Sequence, residues 1–208
     1  MLLHRFVAIE ASDMMGKSVT SRLLAQKFTD AGLKATCVEP IRDNKLIRLM
    51  LKTGAALRWP NVFQFLQWFN RVLYEHFTLN KLIETHDVVI VDRWMLSAFV
   101  YGHCTNVWKW LLNLTSFKLR RPDVNIVLVG DKHLANKQLD SYERDNELQK
   151  EIDLEYELVL TFADLRETLE GRRNTYAVSA SGSVEEVVNR ILEKLEEVWY
   201  GTREGEEL

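Results

Sequence analysis

Short apolar runs alternate with amphipathic stretches along most of this chain. Apolar runs of strand length, bounded by polar or glycine residues, are typical of buried β-strands. We expect such strands at Phe6–Ile9, Ala35–Glu39, Asp87–Val91, Val124–Val129 and Asn174–Val178. Strands that alternate with helices predict an α/β fold, in which a five-stranded parallel sheet has helices on both faces.

The stretches between these runs have helical spacing. Helices are expected at Lys17–Ala31, Asn44–Leu51, from Trp59-Pro60 to about Glu84, Met95–Tyr101, Asn106–Phe117, Leu148–Leu169 and from the Ser183 cap to about Trp199. On the long third helix, spacing predicts that most apolar positions belong to the core: Phe65, Leu66, Trp68, Phe69, Val72, Leu73 and Phe77. We expect one domain over residues 1–208, with a short mobile lid at about 131–147.

The loop after the first strand carries the strongest chemical signal. It ends in Gly16-Lys17-Ser18 and leads directly into a helix. Strand, loop and helix in this order are the context of a phosphate-binding loop, because backbone N–H groups and a helix N-terminus favour an anion. The expected loop residues are Ala11, Ser12, Asp13, Met14, Met15, Gly16, Lys17, Ser18 and Val19. The alternative is a simple strand–turn–helix corner with a solvated lysine.

This loop departs from the usual pattern at its first glycine, which is Ala11 here. Alanine tolerates a positive φ less well than glycine does, so the loop either avoids that conformation or accepts strain. Lys17 would reach the outer phosphates of a nucleotide, and the Ser18 hydroxyl would bind magnesium.

Polar clusters follow other strands as well. Glu10–Ser18, Glu39–Arg42 and Asp92-Arg93 all lie where strands are expected to end. The carboxyl ends of parallel strands lie at one edge of a sheet, where ligands bind in this class of fold. We therefore expect the three clusters to meet in one cleft.

Composition narrows the class of protein. The chain has 208 residues and a formal net charge of -3, which does not indicate a broad nucleic-acid-binding surface. No apolar run is long enough to span a membrane, and we expect no signal peptide, so the cytoplasm is the expected location. Cys37 and Cys104 have no metal-ligand spacing and are expected to be buried free thiols.

Six motifs in order carry a family resemblance: Glu10-Ala-Ser-Asp13-Met-Met-Gly-Lys-Ser, Pro40-Ile-Arg42, Asn70-Arg71, Asp92-Arg93-Trp94-Met-Leu-Ser97, Arg121-Pro-Asp123 and Val178-Ser-Ala-Ser-Gly-Ser-Val-Glu. Together they resemble the thymidylate kinase family over nearly the whole chain. The resemblance implies a P-loop NTPase fold, a homodimer, and transfer of the γ-phosphoryl group from ATP, with Mg²⁺, to a deoxynucleoside monophosphate. The implied acceptor is dTMP, which gives dTDP.

The resemblance also implies roles for the catalytic residues. Lys17 would bind the outer phosphates of ATP, while Arg42 and Arg93 would hold the phosphate of the acceptor. Asp92 joins Ser18 at magnesium or supports the acceptor phosphate. Ser181, in the late loop, would lie against the adenine. Surface ion pairs are the alternative for each arginine, and a structural partner for a nearby arginine is the alternative for Asp92.

Further positions resemble the acceptor site of the family. Asp13 would take the sugar 3′-hydroxyl, Arg71 the O4 of the base, and Ser97 would line the same pocket. Tyr101 would favour deoxyribose by filling the space of a 2′-hydroxyl, although a core tyrosine is an equally simple reading. Gln67 stands where the family stacks thymine on phenylalanine, which leaves the preferred base open.

The lid is also unusual. The family draws a catalytic arginine from the phosphate loop or from the lid, and the loop position here is Met14. Arg144 is the expected source of that charge, with Lys137 as the alternative. A deoxynucleoside kinase and a nucleotide-binding module without catalysis stay open as rival functions. Asp13 and Asp92-Arg93 favour a monophosphate acceptor over a free nucleoside.

Overall fold

The structure of the chain is a computed structural model. It describes residues 5–13, 15–40, 44–116, 119–130, 146–170 and 174–201.

The centre of the fold is a five-stranded sheet in which all neighbouring strands are parallel, in the order β2-β3-β1-β4-β5. Its strands are β1 (Arg5–Glu10), β2 (Ala35–Val38), β3 (Val88–Asp92), β4 (Val124–Val129) and β5 (Thr175–Ser179). The central strand is β1, and both of its edges are paired. In its register Val7 lies beside Ile90 of β3, and Ile9 lies beside Ile126 of β4. The predicted parallel sheet is confirmed.

Helices connect the strands in sequence order. They are α1 (Lys17–Asp30), α2 (Lys45–Lys52), α3 (Ala55–Arg58), α4 (Pro60–Tyr74), a π-helical turn (Glu75–Leu79), α5 (Asn80–Thr85), α6 (Met95–Cys104), α7 (Lys109–Ser116), α8 (Asn146–Glu170) and α9 (Val184–Tyr200). The predicted cap of the last helix is confirmed, because Ser183 and Glu186 form a reciprocal capping box. The long third helix of the prediction contains the π-helical turn, and the short α3 precedes it. Within the described ranges, no helix is long and apolar enough to cross a membrane.

The core lies on both faces of the sheet, because side chains of a strand alternate between faces. Val7 and Ile9 point to one face and pack with residues of α1 and α9, such as Leu24 and Ile191. Phe6 and Ala8 point to the other face, where they join the π-helical turn, α5 and the buried Trp94. A third cluster packs α4, α6 and α8 over β4. Helices therefore cover both faces and leave the carboxyl edge of the sheet for a ligand.

The prediction that the apolar stripe of the long helix belongs to the core is wrong for four positions. Phe65, Phe69, Leu73 and Phe77 are exposed, while Leu66, Trp68 and Val72 are half-buried against the core. The inward face of α4 instead buries Phe63 together with three polar residues, Gln64, Gln67 and Arg71. This helix buries Gln64, Gln67 and Arg71 beside Phe63 and turns Phe65 and Phe69 outward. Spacing alone identified the apolar stripe but assigned four of its members to the wrong side.

Candidate active site

The loop between β1 and α1 ends in a left-handed glycine. Gly16 has φ 74° and ψ 10° and is the N-cap of α1. Any residue with a Cβ would be strained at this φ, so the position requires glycine. The Gly16 carbonyl accepts from the N–H groups of Val19 and Thr20, at 3.1 and 3.0 Å. A glycine cap contributes no side-chain acceptor, and the first amides of α1 are therefore oriented to bind an anion.

Lys17 lies across this loop. Its Nζ donates to the carbonyl oxygen of Ser12 at 2.5 Å and lies 3.9 Å from Oδ1 of Asp13. The residue is only 6% exposed. A largely buried ammonium beside the loop amides is suited to the outer phosphates of a nucleotide.

Ala11 resolves the question raised by the missing first glycine. It is fully buried in the core cluster that contains residues of α1. Its φ is not positive, since the described non-glycine residues with a positive φ are Arg93 and Asn106. The loop therefore avoids the conformation that alanine tolerates poorly. No strain at this position has to be offset by the rest of the fold.

The two residues predicted to act at magnesium lie together. Ser18, in the first turn of α1, donates its hydroxyl to Oδ2 of Asp92 at 2.5 Å. Asp92 is the last residue of β3 and is 5% exposed. A hydroxyl and a carboxylate fit Mg²⁺, which takes few protein ligands and keeps water and phosphate oxygens for the rest. Within the described ranges, no cluster of three or more His, Cys, Asp or Glu side chains could hold another metal.

Arg93 and Asp13 meet next to this pair. The Arg93 guanidinium forms an ion pair with Oδ1 of Asp13 and lies 4.9 Å from the centre of the Tyr101 ring. Gln149, on α8, donates to Oδ2 of Asp13 at 3.3 Å. The first and third predicted polar clusters thus come together at the carboxyl edge of the sheet.

The inward face of α4 carries a buried cation. Arg71 is fully buried, and its Nη1 donates to Oε1 of Gln67 at 3.0 Å. Among the residues that the structure describes, its Nε and Nη2 atoms have no hydrogen-bond acceptor. Burial lowers the pKa of Arg71 to about 10, an effect that the charge of Glu10 opposes. Arg71 therefore keeps its charge at neutral pH and presents two unused donors, which suit an acceptor atom of a ligand.

Ser97 is bonded within the protein. Its hydroxyl donates to Oε2 of Glu10 and lies 2.8 Å from the hydroxyl of Tyr156 on α8. Burial raises the pKa of Tyr156 above its ordinary value, so this phenol remains protonated. Because Ser97 has one hydroxyl proton and donates it to Glu10, Tyr156 is the donor to Ser97. The predicted contact of Ser97 with a base stays a prediction.

Three predicted site residues, Met14, Arg42 and Arg144, lie outside the described residues, as does Lys137. Ser181 is described and follows β5. Its carbonyl, with that of Ser179, accepts from the guanidinium of Arg190 on α9. These contacts link the late loop to α9, and the proposed adenine contact of Ser181 stays a prediction.

Sequence reasoning placed Glu10 in the first polar cluster without a role and missed other polar residues around the site. Gln149 and Tyr156 contact predicted site residues, and Gln64 donates to the Ala98 carbonyl at 2.9 Å. One signal for Gln64 was available, since positions 64, 67 and 71 share one helical face. Gln149 and Tyr156 gave no local signal, because their partners are distant in the sequence.

Comparisons with known proteins identify the family of this chain. The family model described as Thymidylate kinase matches residues 9–191. A probable thymidylate kinase of Thermococcus onnurineus is 27% identical over 202 residues, which cover 92% of this chain and 97% of that protein. A probable thymidylate kinase of Pyrococcus abyssi is 27% identical over 191 residues, 88% of this chain and 91% of that protein.

Solved structures give the same fold. Thymidylate kinase from Candida albicans superposes with a TM-score of 0.69 at 16% identity, over 92% of this chain and 91% of that one. The enzyme from Ehrlichia chaffeensis has a TM-score of 0.64 at 12% identity, over 92% and 98% of the two chains. The predicted P-loop fold and the nucleoside monophosphate kinase class are confirmed. The chain belongs to the thymidylate kinase family.

Proposed function

We propose that this protein transfers the γ-phosphoryl group of ATP to dTMP, giving ADP and dTDP. One observation carries the proposal. The phosphate loop with Lys17, the Ser18–Asp92 pair and the Arg93–Asp13 pair form one continuous polar site at the carboxyl edge of the sheet. A site that holds two polyanions needs cations on both sides of the transferred group. Lys17 and Arg93 are the described residues that meet this need.

On the donor side, the amides after Gly16 bind the β- and γ-phosphates, and Lys17 offsets their charge. Ser18 and Asp92, which lie in hydrogen-bond contact, would hold Mg²⁺. When bound, the ion offsets the negative charge that separates donor and acceptor. Ser181 lies against the adenine in this proposal.

On the acceptor side, Arg93 binds the phosphate of dTMP, joined by Arg42. A phosphate monoester has a second pKa of about 6, so the acceptor is a dianion at neutral pH and needs no base. One of its oxygens attacks the γ-phosphorus, and the bond from that phosphorus to the β-phosphate oxygen breaks. Arg144 from the lid would stabilise the charge that develops there, and its loss would slow turnover by several powers of ten.

The acceptor nucleoside is held by side chains further along the cleft. Asp13 accepts from the 3′-hydroxyl, and the Tyr101 ring fills the space that a 2′-hydroxyl would need. Arg71 donates to O4 of the base, which gives its two unused donors a partner. Gln67 is fixed by Arg71 beside this acceptor atom.

The proposed oligomer is a homodimer, and the proposed location is the cytoplasm. Phe65, Phe69 and Leu73 are 45%, 47% and 40% exposed along the outward face of α4, and Phe77 is 71% exposed just beyond it. A contiguous apolar stripe of this kind is typical of an interface, and a two-fold axis would pair it with itself.

A substrate panel tests the proposed reaction. Purified protein would receive ATP labelled at the γ-phosphate with each deoxynucleoside monophosphate, and separately with thymidine. We expect dTMP to have the highest kcat/KM and thymidine to remain unlabelled, because Arg93 needs a phosphate to bind. Labelling of thymidine without labelling of dTMP would reverse the assignment in favour of a nucleoside kinase. Tight ATP binding without any transfer would favour a non-catalytic module.

A further inference from the structure

The helix that follows Arg93 has a cap that comes from another strand. α6 begins at Met95, and its N-cap residue, Trp94, makes no side-chain capping bond. The first amides of a helix have no partner within it and are costly to bury unpaired. Here they bind the carboxylate of Glu10, the last residue of β1. Oε1 accepts from the Trp94 N–H at 2.9 Å, and Oε2 accepts from the Ser97 N–H at 3.1 Å.

The geometry reproduces a capping box with a residue that is distant in the chain. The N–H groups of the N-cap and N3 positions are the ones that a local capping box satisfies reciprocally. Glu10 serves both with one carboxylate and also accepts from the Ser97 hydroxyl, itself next to Tyr156. A carboxylate at a helix N-terminus is further favoured by the helix dipole.

The residue just before this cap is in an unusual conformation. Arg93 has φ 67°, in the left-handed region that non-glycine residues seldom occupy. Its own N–H donates to the carbonyl of Ile9 at 3.1 Å. Consecutive residues of β1, Ile9 and Glu10, therefore hold the turn from both sides of Arg93. A strained backbone persists only where its surroundings over-determine it, and this pair does so.

The burial of the Glu10 side chain costs free energy. Glu10 is fully buried, and burial raises its pKa above the ordinary value for a glutamate. The bonds from Ser97 and Trp94 and the positive charge of Arg71 oppose that rise. A buried acid of this kind contributes little to stability, because apolar side chains can be buried at a lower cost in free energy.

We infer that Glu10 is a positioning residue for phosphoryl transfer: by capping α6 from β1 it holds Arg93 in the left-handed conformation that aims its guanidinium at the acceptor phosphate. The inference rests on the proposed function for the ligand that Arg93 binds. Glu10 itself touches neither substrate. A substitution of Glu10 should therefore weaken the binding of the acceptor, because it changes the position of Arg93.

Glu10→Gln is the first variant to measure. Glutamine has nearly the same shape, but its amide would place an N–H against the N–H of either Trp94 or Ser97. We expect the KM for dTMP to rise roughly tenfold or more and kcat to fall, while the KM for ATP changes less than about twofold. Equal changes in both KM values, or no change in the KM for dTMP, would overturn the inference.

Two comparisons separate positioning from loss of stability. Ile191→Val removes a methyl group from the core beside α9, away from the turn. It should lower the melting temperature and leave both KM values unchanged. In a double-substitution cycle, Glu10→Gln should add little to Arg93→Ala, since both act on one interaction. Full additivity of the two substitutions would count against an effect through Arg93.

An amide-exchange measurement keeps the inference independent of activity. Glu10→Gln should accelerate hydrogen exchange at the Trp94 and Ser97 amides at least tenfold more than Ile191→Val does. Unchanged exchange there would refute the cap. If the unsubstituted protein phosphorylates no monophosphate, the proposed function fails, and this exchange experiment still decides the cap. Should Glu10→Gln not fold, Ser97→Ala takes its place in the exchange measurement alone, with a smaller acceleration expected at the same amides and unchanged exchange counting against the cap.

Discussion

The phosphate loop and the inward face of α4, which would bind the donor and the acceptor in the proposed reaction, are built in different ways. The loop is one short run of residues. Its phosphate-binding groups would be backbone amides, ordered by a glycine at φ 74°, and the adjacent lysine. The inward face of α4 uses side chains from successive turns. Its cation, Arg71, is buried, and two of its donor atoms have no acceptor among the described residues. The loop thus depends on local sequence, whereas the α4 face depends on what the fold packs around it. In the proposed reaction, the loop would supply general affinity for phosphate, and the α4 face would select the base.

Removal of the loop cation should have the largest effect. Lys17→Met keeps a long side chain but deletes the charge that, in the proposed function, would offset the outer phosphates. We expect kcat to fall roughly 10³-fold, the scale of losing one preorganised donor at developing charge. Steady-state assays with dTMP and ATP would measure it. Lys27→Met, an exposed lysine on the same helix, is the matched control and should retain full activity; retained activity in Lys17→Met would remove the loop from the mechanism.

The buried cation of α4 should matter next, and for one substrate only. Arg71→Lys preserves the charge but replaces a planar set of donors with a single ammonium that reaches less far. A hydrogen bond involving a charged group contributes about 1.5–3 kcal/mol, so kcat/KM for dTMP should fall roughly 10- to 100-fold. The KM for ATP should hold, and Arg48→Lys on the exposed side of α2 serves as control. A parallel rise in both KM values would mean that Arg71 supports the fold rather than the acceptor.

A smaller effect is expected where this chain departs from its family. Gln67→Phe would present a ring to the base and release Nη1 of Arg71. Aromatic stacking contributes about 1 kcal/mol with either pyrimidine, so kcat/KM should rise roughly fivefold for dTMP and for dCMP alike. The two kcat/KM values, each relative to the unsubstituted protein, are the measurement. Gln67→Leu, apolar but without a ring, should not reproduce the gain, and an equal gain from leucine would assign the effect to hydrophobicity alone.

The outward face of α4 should contribute least to turnover. Phe69→Glu places a charge in the exposed stripe, so the proposed homodimer should dissociate while kcat per chain stays within about twofold. Sedimentation equilibrium would report the mass, with Glu193→Gln on α9 as a surface control. An unsubstituted protein that sediments as a monomer would withdraw the proposed dimer.

The fold could be predicted from sequence because its signals are local. Apolar runs defined all five strands to within a residue or two, and Gly16-Lys17 defined the start of α1. The π-helical turn at Glu75–Leu79 could not be predicted, since it leaves helical spacing almost unchanged. The short α3 was missed for a similar reason, because one turn carries no periodicity.

The site could be predicted only in part. Asp13, Lys17, Ser18, Asp92 and Arg93 lie together in the structure, and each belongs to a short motif. The environment of Arg71 could not be predicted, because helical spacing treats an apolar stripe as core, whereas α4 buries three polar side chains beside Phe63. Gln149 and Glu10 act on residues far away in the chain, and only the packing of α8 and α6 reveals those contacts.

The left-handed backbone of Arg93 lowers the stability of the fold, whereas its side chain is needed for the proposed reaction. An L-residue in that region costs about 1–2 kcal/mol relative to the right-handed form, and glycine escapes most of that cost. A screen of variants for survival on heating alone would therefore enrich glycine at position 93, and every such survivor would lack the guanidinium that faces Asp13. Directed evolution of a more durable form of this protein has to score turnover in each round.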